Sequence, residues 1–315
     1  MLRSREWVPS GYTTGPLLVF VALLAADIVL KGGTFSIFDT QSLASNVLPL
    51  AMIGLGQFYI ILTNGIDLSL GPVLSVASAV MATWSMGNVP LAIGAAIAVG
   101  MAAGIGNGFF VVRFGLPPII VTLASMSVWD GVALLILPSP GGGVPAGLEA
   151  AYTTQVGPIP VTVILLVLVT LLAVWILHTR FGLYLRAIGG DEPAARTSGV
   201  PTASVKMGAY ALGGMLAAGA GVMLTINNSS GSPIVGDSFV LMSIAAVVLG
   251  GVALVGGRGS AVGVVMGALI LIIVGSLLYF ANLSSFYQSM VNGAILILAV
   301  GAGAIRSRIW SRWSA

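Results

Sequence analysis

The sequence predicts an all-α integral membrane protein, and three observations support that fold class. Apolar residues make up 57% of the 315 positions, and charged residues only 7%, whereas a soluble domain carries about 25% charged residues. Several apolar runs approach or reach the roughly 20 residues that a helix needs to cross about 30 Å of hydrocarbon. The basic residues fall almost entirely on one side of the membrane. We therefore expect a single transmembrane domain over residues 1–315.

About ten transmembrane helices are predicted from the apolar runs. They cover residues 16–31, 46–64, 67–87, 89–112, 116–137, 159–178, 206–226, 238–257, 260–280 and 284–304. With the N-terminus in the cytoplasm, only Lys31 of the twelve basic residues falls outside. The others are Arg3, Arg5, Arg113, Arg180, Arg186, Arg196, Lys206, Arg258, Arg306, Arg308 and Arg312. This positive-inside asymmetry predicts a multi-pass protein with both termini in the cytoplasm.

Two polar segments interrupt the apolar spans. Residues 138–158 are rich in Gly and Pro, lack basic residues and are expected on the outer side. Residues 179–205 form the only long cytoplasmic loop, and a long loop in a compact protein is usually functional. Spans two to five and seven to ten could form an inverted repeat, because an offset of five spans reverses the second group. Its support is limited to "ILTNG" at 61–65 and "LTINN" at 224–228.

The cytoplasmic segment "RAIGGDEPAARTSGV", residues 186–200, predicts a short exposed helix. Gly189 and Gly190 interrupt the preceding helical run, and Asp191 is a suitable N-cap. Pro193 falls in the first turn, where its missing N–H costs little, and Gly199 is suited to ending the helix. From the residues alone, this helix is either a capped connector between two spans or an element that binds a partner.

The segment "NGIDLSLGP", residues 64–72, joins the second and third predicted spans. Asp67 or Ser69 can cap the free N–H groups of the third span. Polar residues near membrane depth also tend to face a cavity or the bundle interior. Asn64, Asp67 and Ser69 are therefore candidates either for helix capping or for a gate at the cytoplasmic mouth of a solute path.

Other polar and small residues carry weaker signals. Asp27 lies one turn before Lys31, which predicts an i,i+4 ion pair. Asp130 follows an aromatic residue and either lines a permeation path or bonds to a neighbouring helix. Arg258 and Gly259 fall in a tight cytoplasmic turn that contacts a partner or lipid headgroups. The spacings Gly100/Gly104/Gly108 and Gly263/Gly267 predict close helix packing.

Three blocks carry a resemblance to a known family. They are "ILTNGIDLSLGPVLSVASAV" at 61–80, "RAIGGDEPAARTSGV" followed by "VKMGAYALGGMLAAGAGVML" at 186–224, and "IAAVVLGGVALVGGRGSAVGVVMGALI" at 244–270. In these blocks and in their order, the chain resembles a permease subunit of the ribose-type branch of bacterial ABC importers. That family carries monosaccharides and related small polar solutes across the inner membrane.

The resemblance implies a role for each part of the cytoplasmic helix and a set of partners. Carried over to this chain, the element that docks on the ATPase comprises Gly189, Gly190, Asp191, Glu192, Ala194, Ala195 and Gly199. The implied partners are separate ABC ATPase subunits that hold Mg-ATP, a second permease copy or homologue, a periplasmic solute-binding protein and membrane lipid. No enzymatic activity, cofactor, metal or nucleic acid is implied for this chain itself.

Two other functions remain open at this stage. An ion-coupled secondary carrier would need no partner, although buried charge is too sparse to suggest a proton or sodium relay. A related permease could instead carry nucleosides or branched-chain amino acids. The sequence contains no G-x-x-x-x-G-K-[ST] phosphate loop, so the chain does not bind ATP by that route.

Overall fold

The computed structural model describes residues 11–282 together with residues 287, 290, 291, 293, 294, 297 and 301. Over residues 11–282 the chain forms twelve helices and one short hairpin. The helices are α1 (Gly11–Leu30), α2 (Ile37–Ile61), α3 (Leu70–Trp84), α4 (Val89–Arg113), α5 (Pro118–Ile136), α6 (Ala146–Thr153), α7 (Val161–His178), α8 (Arg180–Gly190), α9 (Glu192–Thr197), α10 (Thr202–Asn228), α11 (Gly236–Leu249) and α12 (Ala261–Phe280). The antiparallel strands are β1 (Gln155–Val156) and β2 (Ile159–Pro160).

The predicted all-α membrane class is confirmed, and the helices follow the predicted apolar runs. Among the described residues, six helices are long and apolar enough to cross a membrane: α2, α4, α5, α7, α10 and α12. Shorter apolar helices are α3, α11 and the part of α1 over Thr14–Leu30. The predicted span at 284–304 lies mostly outside the described residues, as do Arg3, Arg5, Arg306, Arg308 and Arg312 of the predicted cytoplasmic set.

The helices α3 and α11 are shorter than the spans predicted at 67–87 and 238–257. They contain 15 and 14 residues, about 22 Å of helix at 1.5 Å per residue. Each begins inside the bundle, where the backbones of Gly71 and Gly236 lie against one another with no room for a Cβ atom on either. Non-helical chain at such a depth is tolerated when protein surrounds it. The helix α3 begins three residues later than predicted. By contrast, α11 begins two residues earlier than predicted and is short because it ends at Leu249, before Gly250 and the left-handed Gly251 with φ 78°.

Helices in the first and second halves of the bundle correspond at a nearly constant spacing. The starts of α2 and α10, at 37 and 202, are 165 residues apart, and those of α3 and α11, at 70 and 236, are 166 apart. Asn64 and Ser229 are also 165 apart, and both follow a long helix with a positive φ, of 62° and 53°. Gly71 and Gly236 occupy corresponding positions in the two halves and lie against each other, as a local two-fold axis between the halves requires.

Glycines allow the long helices to pack backbone to backbone, as their spacing predicts. Gly100 of α4 lies against Gly214 of α10, and each excludes a Cβ atom from the other. Gly104, one turn further along α4, lies against the carbonyl group of Tyr210. Gly267 of α12 packs in the same way on α11. Small residues at such crossings let dispersion contacts form over the whole helix surface, which is the main source of helix association in lipid.

The predicted ion pair in the first helix is confirmed and belongs to a larger cluster. Lys31 Nζ lies 2.8 Å from Asp27 Oδ2 and 3.5 Å from Asp39 Oδ1. The hydroxyl of Ser276 on α12 donates to Asp27 Oδ1 at 2.7 Å. Lys31 also lies 5.1 Å from the centre of the Phe280 ring. The cluster therefore ties α1 to both α2 and α12.

Candidate functional site

The loop after α2, the C-terminal end of α8 and the loop before α12 meet, and we call this contact the junction (residues 62–65, 189–190 and 256–259). The amide of Gly257 donates to the carbonyl oxygen of Leu62 at 3.1 Å. The side-chain amide of Asn64 donates to the carbonyl oxygen of Gly189 at 3.2 Å. Gly189 has no room for a Cβ atom, because Leu62 and Gly257 occupy that space. The junction thus unites parts of all three sequence blocks.

Local sequence explains why the junction can form. Asn64 has φ 62°, a left-handed conformation that Asn adopts more readily than most residues. Gly256 and Gly257 have φ 80° and 71°, where a side chain would be strained. Gly256 also makes room for the side-chain oxygen of Asn64. Arg258 is exposed at this turn, and Gly259 would carry a Cβ atom only 2.9 Å from the Phe58 ring.

Residues 179–200 contain two helices, α8 and α9, and the break between them falls at Asp191, because Gly189 and Gly190 are the last two residues of α8 instead of interrupting it as predicted. The predicted N-cap is confirmed, because the Asp191 carboxylate accepts from the amide of Ala194 at 2.9 Å. Gly199 has φ 83°, and the amide of Val200 donates to the carbonyl of Ala195 at 3.1 Å, which closes the helix in a Schellman motif. Gly190, the last residue of α8, is exposed, and no described residue lies close to where its Cβ atom would be.

The two alanines of α9 have different surroundings. Ala194 is exposed, whereas Ala195 is only 6% exposed and packs into the chain's own core. Glu192 forms an ion pair with Lys206 at the start of α10, at 2.5 Å. Burial lowers the pKa of the nearby Arg186 guanidinium. The outer face of α9 that is free to meet another protein therefore includes Ala194 but not Ala195.

Asp67, Ser69 and Asn107 form a buried polar cluster that we call the Asp67 node. The Asp67 carboxylate accepts from the amide of Ser69 at 2.8 Å and from its hydroxyl at 2.7 Å. The side-chain amide of Asn107 on α4 donates to Asp67 Oδ2 at 3.2 Å and to the Ser69 hydroxyl at 2.8 Å. Asp67 is 2% exposed. The node joins the α2–α3 connection to α4.

Further polar groups surround the node. In the orientation that its neighbours require, the Gln57 amide group bonds to the backbone N–H and C=O of Asp67, at 3.2 and 3.0 Å. Thr122 donates to the carbonyl of Ile66 at 3.3 Å. The hydroxyl of Tyr210 is buried, and no hydrogen-bond partner for it exists among the described residues. Sequence reasoning missed Gln57 and Asn107, although a polar residue inside an apolar span is a signal for them.

Asp130 lies apart from the Asp67 node. It is partly exposed on α5. In the described part of the chain, no hydrogen bond or ion pair joins Asp130 to the node. The predicted solute-path residues therefore do not form one site. Asn64 is exposed, Asp67 and Ser69 are buried in the node, and Asp130 is partly exposed on α5.

We expect Asp67→Asn to lower the thermal stability of the purified protein in detergent. An amide cannot accept on both sides as a carboxylate does, so a buried donor of Ser69 or Asn107 loses its acceptor, which costs about 1–3 kcal/mol. Asp191→Asn is the matched control, because Asn is as good an N-cap as Asp on the exposed α9. Equal unfolding midpoints for the two variants would contradict the bonding described for the node.

A bundle of apolar helices with buried polar bonds and a capped helix outside its long spans defines a polytopic membrane protein. Residues 40–300 match the family described as branched-chain amino acid transport system / permease component. The chain belongs to this family, because the match covers most of its length.

Individual relatives share the length as well as the family. The chain is 37% identical over 292 residues to the ribose import permease protein RbsC of Bacillus subtilis strain 168, covering 91% of each chain. It is 34% identical over 311 residues to RbsC of Escherichia coli strain K12, covering 94% of each. It is 33% identical over 313 residues to the fructose import permease protein FrcC of Rhizobium meliloti, covering 94% of this chain and 86% of FrcC. No solved structure shows significant similarity to the chain.

These similarities confirm the resemblance that the three sequence blocks indicated. The chain is the permease subunit of an ABC-type importer and a multi-pass inner-membrane protein. Like its relatives, it is a subunit of a transporter.

Proposed function

We propose that the chain translocates a monosaccharide or a similar small polar solute. The names of RbsC and FrcC support a sugar, whereas the family description names branched-chain amino acids. Matches to individual proteins over most of the chain at 33–37% identity are more specific than a match to a broad family, so they favour a sugar as the cargo. The test is uptake of radiolabelled ribose, fructose and leucine by proteoliposomes that contain the permease together with its partner ATPase and solute-binding protein. Leucine uptake without sugar uptake would overturn the choice of cargo.

We propose ten spans with both termini in the cytoplasm, arranged as an inverted repeat. The repeat would relate spans two to five to spans seven to ten, and it is supported by the 165-residue correspondence of α2 with α10. Residues 138–158 would then face the periplasm and residues 179–205 the cytoplasm, within one domain of residues 1–315. Cysteine substitutions at Glu149 and Ser198, labelled from either side of the membrane, test this orientation, since the chain has no cysteine of its own.

We propose that α9 and its flanking residues dock on a separate ATPase subunit that holds Mg-ATP. The observation that carries this proposal is the capped α9, with an exposed outer face and an inner face packed on the bundle. The docking set is Gly190, Asp191, Glu192, Ala194 and Gly199, with the buried Gly189 and Ala195 holding the two helices in place. Arg258 and Gly259 lie in a turn of the adjoining junction. A second permease copy or homologue, a periplasmic solute-binding protein and lipid complete the assembly.

We propose that the connection carrying Asn64, Asp67 and Ser69 acts as the inner gate of the solute path. Its support is a polar, partly buried segment that enters the bundle between two helices. Asp130 is a separate candidate for contact with solute, on another helix. The competing ion-coupled carrier would accumulate solute in liposomes that contain the permease alone, under a proton or sodium gradient. That result would contradict dependence on an ATPase.

The pair Glu192–Lys206 offers a test of docking by exchange of charge. We expect Glu192→Lys with Lys206→Glu to preserve the ion pair within the chain while reversing the charge that α9 presents outside. A partly exposed pair near the surface contributes about 0–1 kcal/mol, so the unfolding midpoint should change little. Stimulated ATP hydrolysis should fall on the order of tenfold, as expected when like charges face each other across an interface. Unchanged hydrolysis in the double variant would remove Glu192 from the docking set.

A further inference from the structure

We propose that Asn64 is a positioning residue that transmits displacement of α8 and α9 to the Asp67 node. The inference rests on the proposed docking of an ATPase at α9. A movement at α9 reaches the solute path only if contacts join these two parts of the chain, which are far apart in sequence.

The first step is the contact between Asn64 and α8. The side-chain amide of Asn64 bonds to the carbonyl of Gly189, which is 125 residues away in sequence and three residues before the start of α9. The amide oxygen of Asn64 is seated against Gly256, which has no side chain to displace it. The side-chain nitrogen of Asn64 therefore contacts the end of α8, and its side-chain oxygen contacts the loop before α12.

Position 64 carries asparagine where glycine would also fit the backbone. Asn64 has φ 62°, a conformation that glycine adopts without steric cost. The adjacent loop uses glycine for the same purpose at Gly256 and Gly257. A backbone requirement alone would be met by glycine at position 64 as well, so the side chain provides something that the backbone does not. In the structure, that contribution is the bond to Gly189.

The last step is the short chain between Asn64 and the node. Asp67 is three residues further on, a length that spans at most about 11 Å when fully extended. Gly65 is confined between Ile60 and the Tyr210 hydroxyl, which would lie 3.0 and 2.7 Å from an added Cβ atom. The carbonyl of Ile66 is bonded to Thr122. The segment has little slack, so a movement of Gly189 is passed to Asp67 and from there to α4.

The test uses a single cysteine as a reporter in the naturally cysteine-free chain. Leu68→Cys places a partly buried thiol within the node segment. Its rate of labelling by a maleimide is measured in proteoliposomes with the ATPase bound, without nucleotide and with ATP and vanadate. We expect ATP and vanadate to change the rate on the order of fivefold or more, the scale of coupling between linked sites.

Two substitutions at Asn64 then separate the side chain from the backbone. Asn64→Gly keeps the left-handed backbone, and Asn64→Asp keeps the shape but loses the N–H donor. Both should still bind the ATPase in a co-purification assay, while the nucleotide-dependent change in labelling falls below about twofold. Asn282→Gly is the matched control, because Asn282 also follows an apolar helix with φ 56° but lies outside the junction.

The outcomes distinguish the relay from the docking on which it rests. Failure of the parent protein to bind the ATPase would refute the docking proposal. Binding without any nucleotide-dependent change at Leu68→Cys, or the full change in Asn64→Gly, would refute the relay. Loss of ATPase binding in Asn64→Gly would also refute it, since Asn64 would then position α9 rather than transmit its movement.

Discussion

Replacing Gly104 by alanine is expected to destabilise the permease by about 3 kcal/mol, the upper end of the usual cost of overpacking. A Cβ atom on Gly104 would overlap the backbone carbonyl of Tyr210 on α10. Because backbone rather than a flexible side chain occupies this space, α4 and α10 can relieve the overlap only by moving apart. The same motion would disturb Asn107, less than one turn away, and with it the Asp67 node. The measurement is the midpoint of thermal unfolding in detergent.

Gly106→Ala is the internal control for this substitution. Gly106 lies on the same helix two residues further on, and among the described residues no heavy atom outside its own helix lies within 4 Å of an added Cβ atom. Alanine has the higher helix propensity, so this variant should be neutral or slightly more stable. If Gly104→Ala and Gly106→Ala unfolded at the same temperature, the close contact of α4 with α10 would be wrong.

Replacing Ala194 by arginine is expected to reduce ATPase binding and stimulated hydrolysis more than tenfold, a loss typical of a disrupted interface core. Ala194 is exposed on α9, and arginine is a good helix former, so the permease itself should fold normally. A large charged side chain in a closely packed docking face would hold the two proteins apart. Co-purification with the ATPase and hydrolysis by the reconstituted complex measure the effect.

The matched control for docking is Ala150→Arg. Ala150 is also exposed on a short helix, α6, but it lies in the loop proposed to face the periplasm. Its ATPase binding should equal that of the parent protein. Normal ATPase binding by Ala194→Arg would exclude the outer face of α9 from the interface. Ala195 would be unsuitable for this test, because arginine at that buried position would disturb the fold of α9 itself.

Patterns that depend on neighbours in sequence were predicted well from the sequence. The apolar runs located nine helices of the bundle because an apolar stretch of this length is stable in lipid only as a helix. The Asp191 cap and the Asp27–Lys31 pair join residues three and four positions apart, a spacing set by the helix itself. The glycine spacing in α4 correctly predicted a packing face, although not its partner.

By itself, therefore, the sequence determined the membrane class, most helix positions, the local caps and the family. Only the tertiary structure decided that α3 and α11 begin inside the bundle, that Asn107 binds Asp67 and that Asn64 reaches Gly189. It also turned Ala194 outward and Ala195 inward. Two of these contacts join residues 40 and 125 positions apart. The physical reason is that helix periodicity encodes neighbours within one turn, whereas long-range partners depend on how closely glycine-lined helices approach and at what register they cross.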